Sequence, residues 1–200
     1  MRLQNKKVTI LVEDGFEDLE FWVPLMRMQE EGATVTVVSP VRGKTYRSKS
    51  GGLTGISDVA ANEVSADDFD ALIVPGGWAP DKLRRYESVL KLVREMHQQG
   101  KIVGSICHAG LVLISAGIVR GRRATGSLGI KDDLINAGAE WVGDKPAFRD
   151  GNLVWGRVVP DIPYFCRELV AALRPFGYAQ DKQAQDRPLA EGRATEQKSP

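Results

Sequence analysis

Lys101-Ile-Val-Gly104-Ser-Ile-Cys107-His108-Ala-Gly110-Leu-Val-Leu-Ile114 is the stretch on which the reading of the whole chain turns. Lys101 to Ile106 is an apolar run with the length of a buried strand, and Ala109 to Ala116 is apolar on every side, the pattern of a buried helix. Cys107 and His108 fall at the join. A strand that turns sharply into a helix holds its first side chain proud of the sheet, which is the geometry of a nucleophile elbow. The helix start adds partial positive charge and free N–H groups, which favour a thiolate over a thiol. Cys107 therefore reads as an activated sulfur.

The segments on either side repeat the alternation of strand and helix. Lys7 to Val12 is strand-like, Leu19, Trp22, Val23 and Met26 recur at helical spacing up to Gly32, and Ala33 to Val38 is the next buried strand. Pro24 falls inside that helix and is expected to bend it, because it deprives the Glu20 carbonyl of a partner. Strand, helix and strand with no hairpin turn is the unit of a parallel sheet. Val41 to Asn62 is polar and rich in Gly and Ser, and reads as an excursion of short antiparallel strands. Asp70 to Val74 resumes the sheet and stops at Pro75-Gly76-Gly77, where a doubled glycine can offer bare backbone N–H groups to a ligand. Val89, Leu92, Val93 and Met96 mark a further helix that Gly100 ends. Residues 129–136 form a short helix, 146–149 and 153–155 a hairpin, and Ile162, Phe165, Cys166, Leu169, Val170 and Leu173 one helical face. That face puts Cys166 in the core, with a packing role.

The totals narrow the function. Two hundred residues with 42% hydrophobic content suffice for one α/β domain, assigned to residues 1–176, and residues 177–200 read as a polar, disordered tail. Twenty-seven basic against 26 acidic residues give no reason to expect nucleic acid as a partner. The N-terminus lacks a signal-peptide core and no window approaches the ~18 apolar residues of a membrane span, so a soluble, cytoplasmic protein with no membrane partner is expected. Two cysteines are too few for a disulfide framework.

In an open parallel sheet ligands bind beyond the carboxyl ends of the strands. Three such ends carry distinctive residues: Glu17, Gly76-Gly77 and Cys107-His108. A carboxyl group beside a thiol can donate a hydrogen bond to it or shuttle its proton, and the Gly77 and His108 N–H groups can form an oxyanion hole. The only histidines are His97 and His108. His97 is expected to be solvated, and His108, adjacent to Cys107 on a sharp turn, is not expected to touch it. If a base assists Cys107, it is Glu17 or His108. Two histidines and one exposed thiol make no metal site, and no dinucleotide or P-loop glycine pattern follows a strand, so no cofactor is expected.

Gly15-Phe-Glu17-Asp-Leu-Glu20, Phe69-Asp-Ala-Leu-Ile-Val-Pro-Gly-Gly77, Ser105-Ile-Cys107-His108, Ile114-Ser-Ala-Gly117 and residues 129–138 together resemble the PfpI intracellular protease family, within the superfamily of the parkinsonism-associated deglycase. The resemblance runs from about Lys7 to Leu173. It implies a flavodoxin-like three-layer α/β/α sandwich with a mostly parallel central sheet, a nucleophilic Cys107 in hydrogen-bond contact with Glu17, and oxyanion donors at Gly77 and His108. It further implies a homodimer or hexamer in which an acid from a neighbouring subunit meets the histidine. That position matches Asp81 here, where the family has a longer Glu. Ala109-Gly110 likewise stands where the family often has Gly-Pro, a change that bears on the start of the elbow helix. Members of the family are described as peptidases, glyoxalases, deglycases, chaperones and redox sensors. A sulfur beside a carboxyl group suits attack on an aldehyde better than amide hydrolysis, which must also protonate a poor leaving group. Small reactive carbonyls are therefore the expected substrates, with peptides second. The rival reading is a non-enzymatic sensor or chaperone whose Cys107 oxidises to a sulfinate.

Overall fold

Strand β1 (Lys7–Leu11) is buried from Val8 onward, as befits a strand covered on both faces of a parallel sheet. A computed structural model describes residues 1–174 of the chain. It continues through α1 (Asp18–Glu30), β2 (Thr34–Ser39), β3 (Thr45–Arg47), β4 (Thr54–Ile56), β5 (Val59–Ala60) and β6 (Ala71–Val74). Then come α2 (Ala79–Leu83), α3 (Glu87–Gln98), β7 (Ile102–Ile106), α4 (Gly110–Ser115), β8 (Arg123–Ala124), α5 (Lys131–Asn136) and β9 (Glu140–Trp141). The hairpin strands β10 (Ala147–Asp150) and β11 (Leu153–Gly156) precede α6 (Ile162–Leu173). The expected tail, 177–200, lies outside the described residues.

Seven strands form the central sheet in the order β10-β11-β7-β6-β1-β2-β5, all parallel to their neighbours except β10. Ile10 of β1 stands opposite Val37 of β2 and Ile73 of β6, and Val74 opposite Ser105 of β7, so the carboxyl ends of β1, β6 and β7 finish side by side. α1 and α6 pack together on one face, and α2, α3 and α4 on the other, which makes three layers. The expected flavodoxin-like α/β/α architecture is the one found. Its core is held by large, fully buried side chains such as Phe21, Leu72, Trp155 and Phe165, each contributing about 1.5–3 kcal/mol by leaving water.

The excursion contains a β3–β4 antiparallel hairpin, and its last piece, β5, adds a parallel edge to the main sheet. The two-residue strands β8 and β9 pair in parallel, and these with α2 had no periodic signal to announce them. α1 runs from Asp18 to Glu30 with Pro24 on its buried side. The stripe that marks this helix in the sequence proves to be its outer face: Leu19, Val23 and Met26 are 46%, 38% and 57% exposed. The inward face is Glu20, Phe21, Pro24, Leu25 and Met28.

Candidate active site

Ile106 ends β7 in extended backbone, and Cys107 then takes φ of 61°, in the left-handed region that a residue with a Cβ enters at a cost of about 1–3 kcal/mol. A 3-10 turn over Cys107–Ala109 leads into α4 at Gly110, so the elbow helix begins tightly wound. The Cys107 carbonyl accepts a hydrogen bond from the Ser127 N–H at 3.0 Å, which pins the turn from the far side. The strained residue is thus the one expected to carry the chemistry.

The loops after β1 and β6 are clasped against each other. Trp78 N–H donates to the Gly15 carbonyl at 2.7 Å, Glu17 N–H to the Gly76 carbonyl at 3.1 Å, and Phe16 bridges Gly77 in antiparallel fashion. This clasp fixes where α1 begins. Glu17 is its N-cap, and its carboxylate accepts from the Leu19 and Glu20 N–H groups at 2.9 and 2.8 Å. The expected contact between Glu17 and Cys107 is therefore corrected: Glu17 is engaged in capping, and the acid at the sulfur is Glu20. Glu20 is fully buried, and its Oε2 accepts from the Gly76 N–H at 2.9 Å. Gly76 is also corrected as a substrate donor, since that N–H is already taken. Its lack of a side chain is what matters, because a Cβ there would lie 2.5 Å from Glu20 Oε2 and 2.7 Å from Cys107 Cβ.

The Gly77 and His108 backbone N–H groups both reach the Cys107 sulfur. They pull its pKa down, but burial and then the negative charge of Glu20 outweigh them and push the thiol up to about 12. The expectation of a depressed thiol is thus corrected: the favourable amides are present, and desolvation prevails. Burial, then the neighbouring Glu17 charge, raises Glu20 to about 7. Two anions cannot share so dry a site, so the pair retains at least one proton at all ordinary pH and can pass it between oxygen and sulfur.

The side chains of Cys107 and His108 do meet, contrary to expectation: Sγ lies 3.2 Å from Nδ1. The left-handed turn at Cys107 followed by a 3-10 turn folds the ring back beside the sulfur. Burial, aided by the charge of Lys49, lowers the His108 pKa and favours a neutral ring able to accept a proton. Lys49 itself stands 5.7 Å over the ring of Trp78, which is 63% exposed and packs on Gly15. Sequence reasoning missed this pair because neither residue belongs to a periodic run. Glu20 left a fainter signal: it sits four residues before Pro24 and eight before Met28, on one stripe.

Asp81 is exposed on α2, where its carboxylate pairs with Arg85 one turn on, and it makes no hydrogen bond to Cys107 or His108 within the chain. His97 is not solvated as expected. It is half-buried, and its Nδ1 is shut from water with no geometrically formed hydrogen bond among the described residues, although the Asn152 side chain lies beside the ring. Cys166 is 3% exposed in the core stripe of α6. Among the described residues no three His, Cys, Asp or Glu side chains gather as a metal would require, and no helix is long and apolar enough to cross a membrane.

The model of the DJ-1/PfpI family matches residues 6–172. The chain belongs to the DJ-1/PfpI family. It is 46% identical to Deglycase TK1284 of Thermococcus kodakarensis over 84% of this chain and 99% of that relative. It is 38% identical to Protein/nucleic acid deglycase 2 of Escherichia coli over 86% of this chain and 99% of that one. Among solved structures, a two-domain protein of Anabaena variabilis with DJ-1/ThiJ/PfpI-like and ferritin-like domains superposes with a TM-score of 0.82. It shares 38% identity over 84% of this chain and 50% of that one. The DJ-1/PfpI relationship therefore covers all but a few of the described residues, and the superposition agrees with the layered, mostly parallel α/β architecture. An enzymatic role of the family's hydrolase or deglycase kind is supported by these relatives' names.

Proposed function

We propose that the protein is a cysteine-dependent enzyme acting on small reactive carbonyls, as a glutathione-independent glyoxalase or a deglycase, in the cytoplasm. The observation that carries this reading is a buried carboxyl group, Glu20, with a pKa of about 7 and able to exchange a proton with the Cys107 sulfur. Cys107 adds to the aldehyde carbon of an α-oxoaldehyde while Glu20 takes the thiol proton and returns it to the new alkoxide. The Gly77 and His108 N–H groups steady the negative oxygen until the proton arrives. Glu20 then removes the hydrogen of the former aldehyde carbon as a proton, and reprotonation at the adjacent carbon yields a thioester of the 2-hydroxy acid. Water cleaves the thioester and restores the thiol. On a glycated amine the same carbon–sulfur bond forms and the amine leaves with a proton. Lactate formation from methylglyoxal by the wild type and by Cys107→Ala tests the proposal, and equal turnover by both removes Cys107 from the mechanism.

Peptide hydrolysis is the second reading, favoured by the 3.2 Å contact between Cys107 Sγ and His108 Nδ1. A cysteine–histidine pair needs an acid to orient the ring. In a homodimer or hexamer that acid is Asp81 of a neighbouring copy. Loss of peptide cleavage in Asp81→Ala with methylglyoxal turnover intact supports that division of labour.

A further inference from the structure

At the other end of α4 from Cys107 lies a cleft of about 490 Å³, lined by Arg94, His97, Ser115, Arg120 and Arg122 among others. α3 ends here before feeding β7, and α4 ends here after descending from the elbow, so the cleft opens at the amino ends of the strands. The length of β7, on the order of 16 Å, separates it from the reactive sulfur. Among the described residues no aspartate or glutamate lines it.

Arg94 and Arg122 are held by polar contacts, and Arg120 is placed by packing alone. Arg94 Nε donates to the Ala116 carbonyl at 3.2 Å, and its Nη1 reaches Glu87 at 3.4 Å. Arg120 lies over the backbone of Gly138 and Arg122 over that of Gly151, where an added Cβ would come within 3.2 Å of each guanidinium. Arg122 has Asp150 at 3.7 Å, but Asp150 also serves Arg123. Arg120 makes no hydrogen bond or ion pair among the described residues. Ser115 Oγ already accepts from Arg84 Nε at 2.8 Å, which leaves its own hydrogen for another acceptor. His97 Nδ1 is buried on the same wall without a geometrically formed hydrogen bond among the described residues, although the Asn152 side chain lies beside the ring. The carboxyl ends of two helices bring negative partial charge here, each equivalent to about half an electron, too little to offset these arginines.

We propose that this cleft binds a phosphate group, free or carried on a small molecule, with Arg94, Arg120 and Arg122 on its oxygens and Ser115 and His97 as further donors. Three guanidiniums from two segments, Arg94 on α3 and Arg120 and Arg122 on the loop between α4 and β8, suit a tetrahedral dianion, which accepts in several directions, better than a planar carboxylate. A volume in the range of small-molecule sites leaves room for an organic substituent beside the phosphate.

The chain's two histidines serve as reporters, one at each end of β7. Inorganic phosphate and glucose 6-phosphate are titrated separately at fixed ionic strength, with sodium chloride as the control, while the ring proton resonances of His97 and His108 are followed. The expected result is a saturable shift of His97 with His108 unmoved, no such shift in chloride, and at least tenfold weaker binding in Arg120→Ala. Arg120 is exposed, so that variant should keep the wild-type melting temperature without phosphate. Tighter binding of glucose 6-phosphate assigns the cleft to phosphomonoesters, and equal binding assigns it to free phosphate. A His97 response that never saturates, that chloride reproduces, or that Arg120→Ala leaves unchanged overturns the proposal.

Discussion

Burial is the leading cause that pushes both the Cys107 and the Cys166 thiol up to about 12, yet their surroundings have little else in common. Around Cys166 are the apolar stripe of α6 and, opposing the burial, the charge of Arg27. Around Cys107 are two backbone N–H groups, a buried carboxyl group, an imidazole nitrogen and a strained φ. A nucleophile is therefore not recognised here by the acidity of the resting thiol. What distinguishes it is a partner able to take its proton at the moment of attack, and donors placed for the charge that follows.

The sharpest way to break the comparison is to remove each sulfur in turn. Cys107→Ala should lower lactate formation by roughly a thousandfold or more, in line with the loss of other nucleophiles, whereas Cys166→Ala should leave the rate within about twofold. Comparable losses in both would erase the distinction.

Glu20→Gln separates the partner from the sulfur and should cost about 10²–10⁴ in kcat, the usual worth of acid–base catalysis. Its effect on stability runs the other way. A carboxyl group raised in the folded state from 4.5 to about 7 keeps the native protein more protonated than the unfolded chain across that window. Stability therefore falls as pH rises from about 4.5 through about 7. By pH 8 this carboxyl group costs up to about 3 kcal/mol, which the amide avoids. Urea melts at pH 5 and pH 8 should show the variant gaining on the wild type at the higher pH. A wild type that grows more stable across this window relative to Glu20→Gln would contradict the assignment of Glu20.

Glu17→Gln tests the capping acid at a finer level. Its amide oxygen can still cap α1, but loss of the charge that helps raise Glu20 should move the acidic limb of the kcat/KM profile to lower pH. A large loss of activity with no movement of that limb would return Glu17 to direct chemistry. The smallest effect expected is on folding: Cys166→Ala should cost about 1 kcal/mol, measured by chemical denaturation, because a small buried side chain leaves a small void.

Legibility in the sequence followed the strength of the local pattern. β1, β6 and β7 were readable because strands covered on both faces are continuous apolar runs, and α3 and α6 because their buried residues recur at 3.6. α1 resisted because two of its faces are apolar, and only packing against β1, β2 and α6 chose Phe21, Leu25 and Met28 over Leu19, Val23 and Met26. The site inherited that ambiguity. Glu17 and Glu20 lie less than one helical turn apart, so choosing between them required knowing which way the helix faces. The contact of His108 with Cys107 depended on a positive φ that no residue type at 107 would announce.

By itself the sequence determined the alternation of strands and helices, the sharp turn that bears Cys107, and the three loops that carry the site, because hydrophobic period and glycine placement act locally along the chain. Only the tertiary structure decided which carboxyl group reaches the sulfur, that desolvation overrides the favourable amides there, and that Arg94 of α3 shares one cleft with Arg120 and Arg122 of the loop after α4. Each of these is a relation between segments distant in sequence, and side-chain direction and dielectric surroundings exist only once those segments have packed.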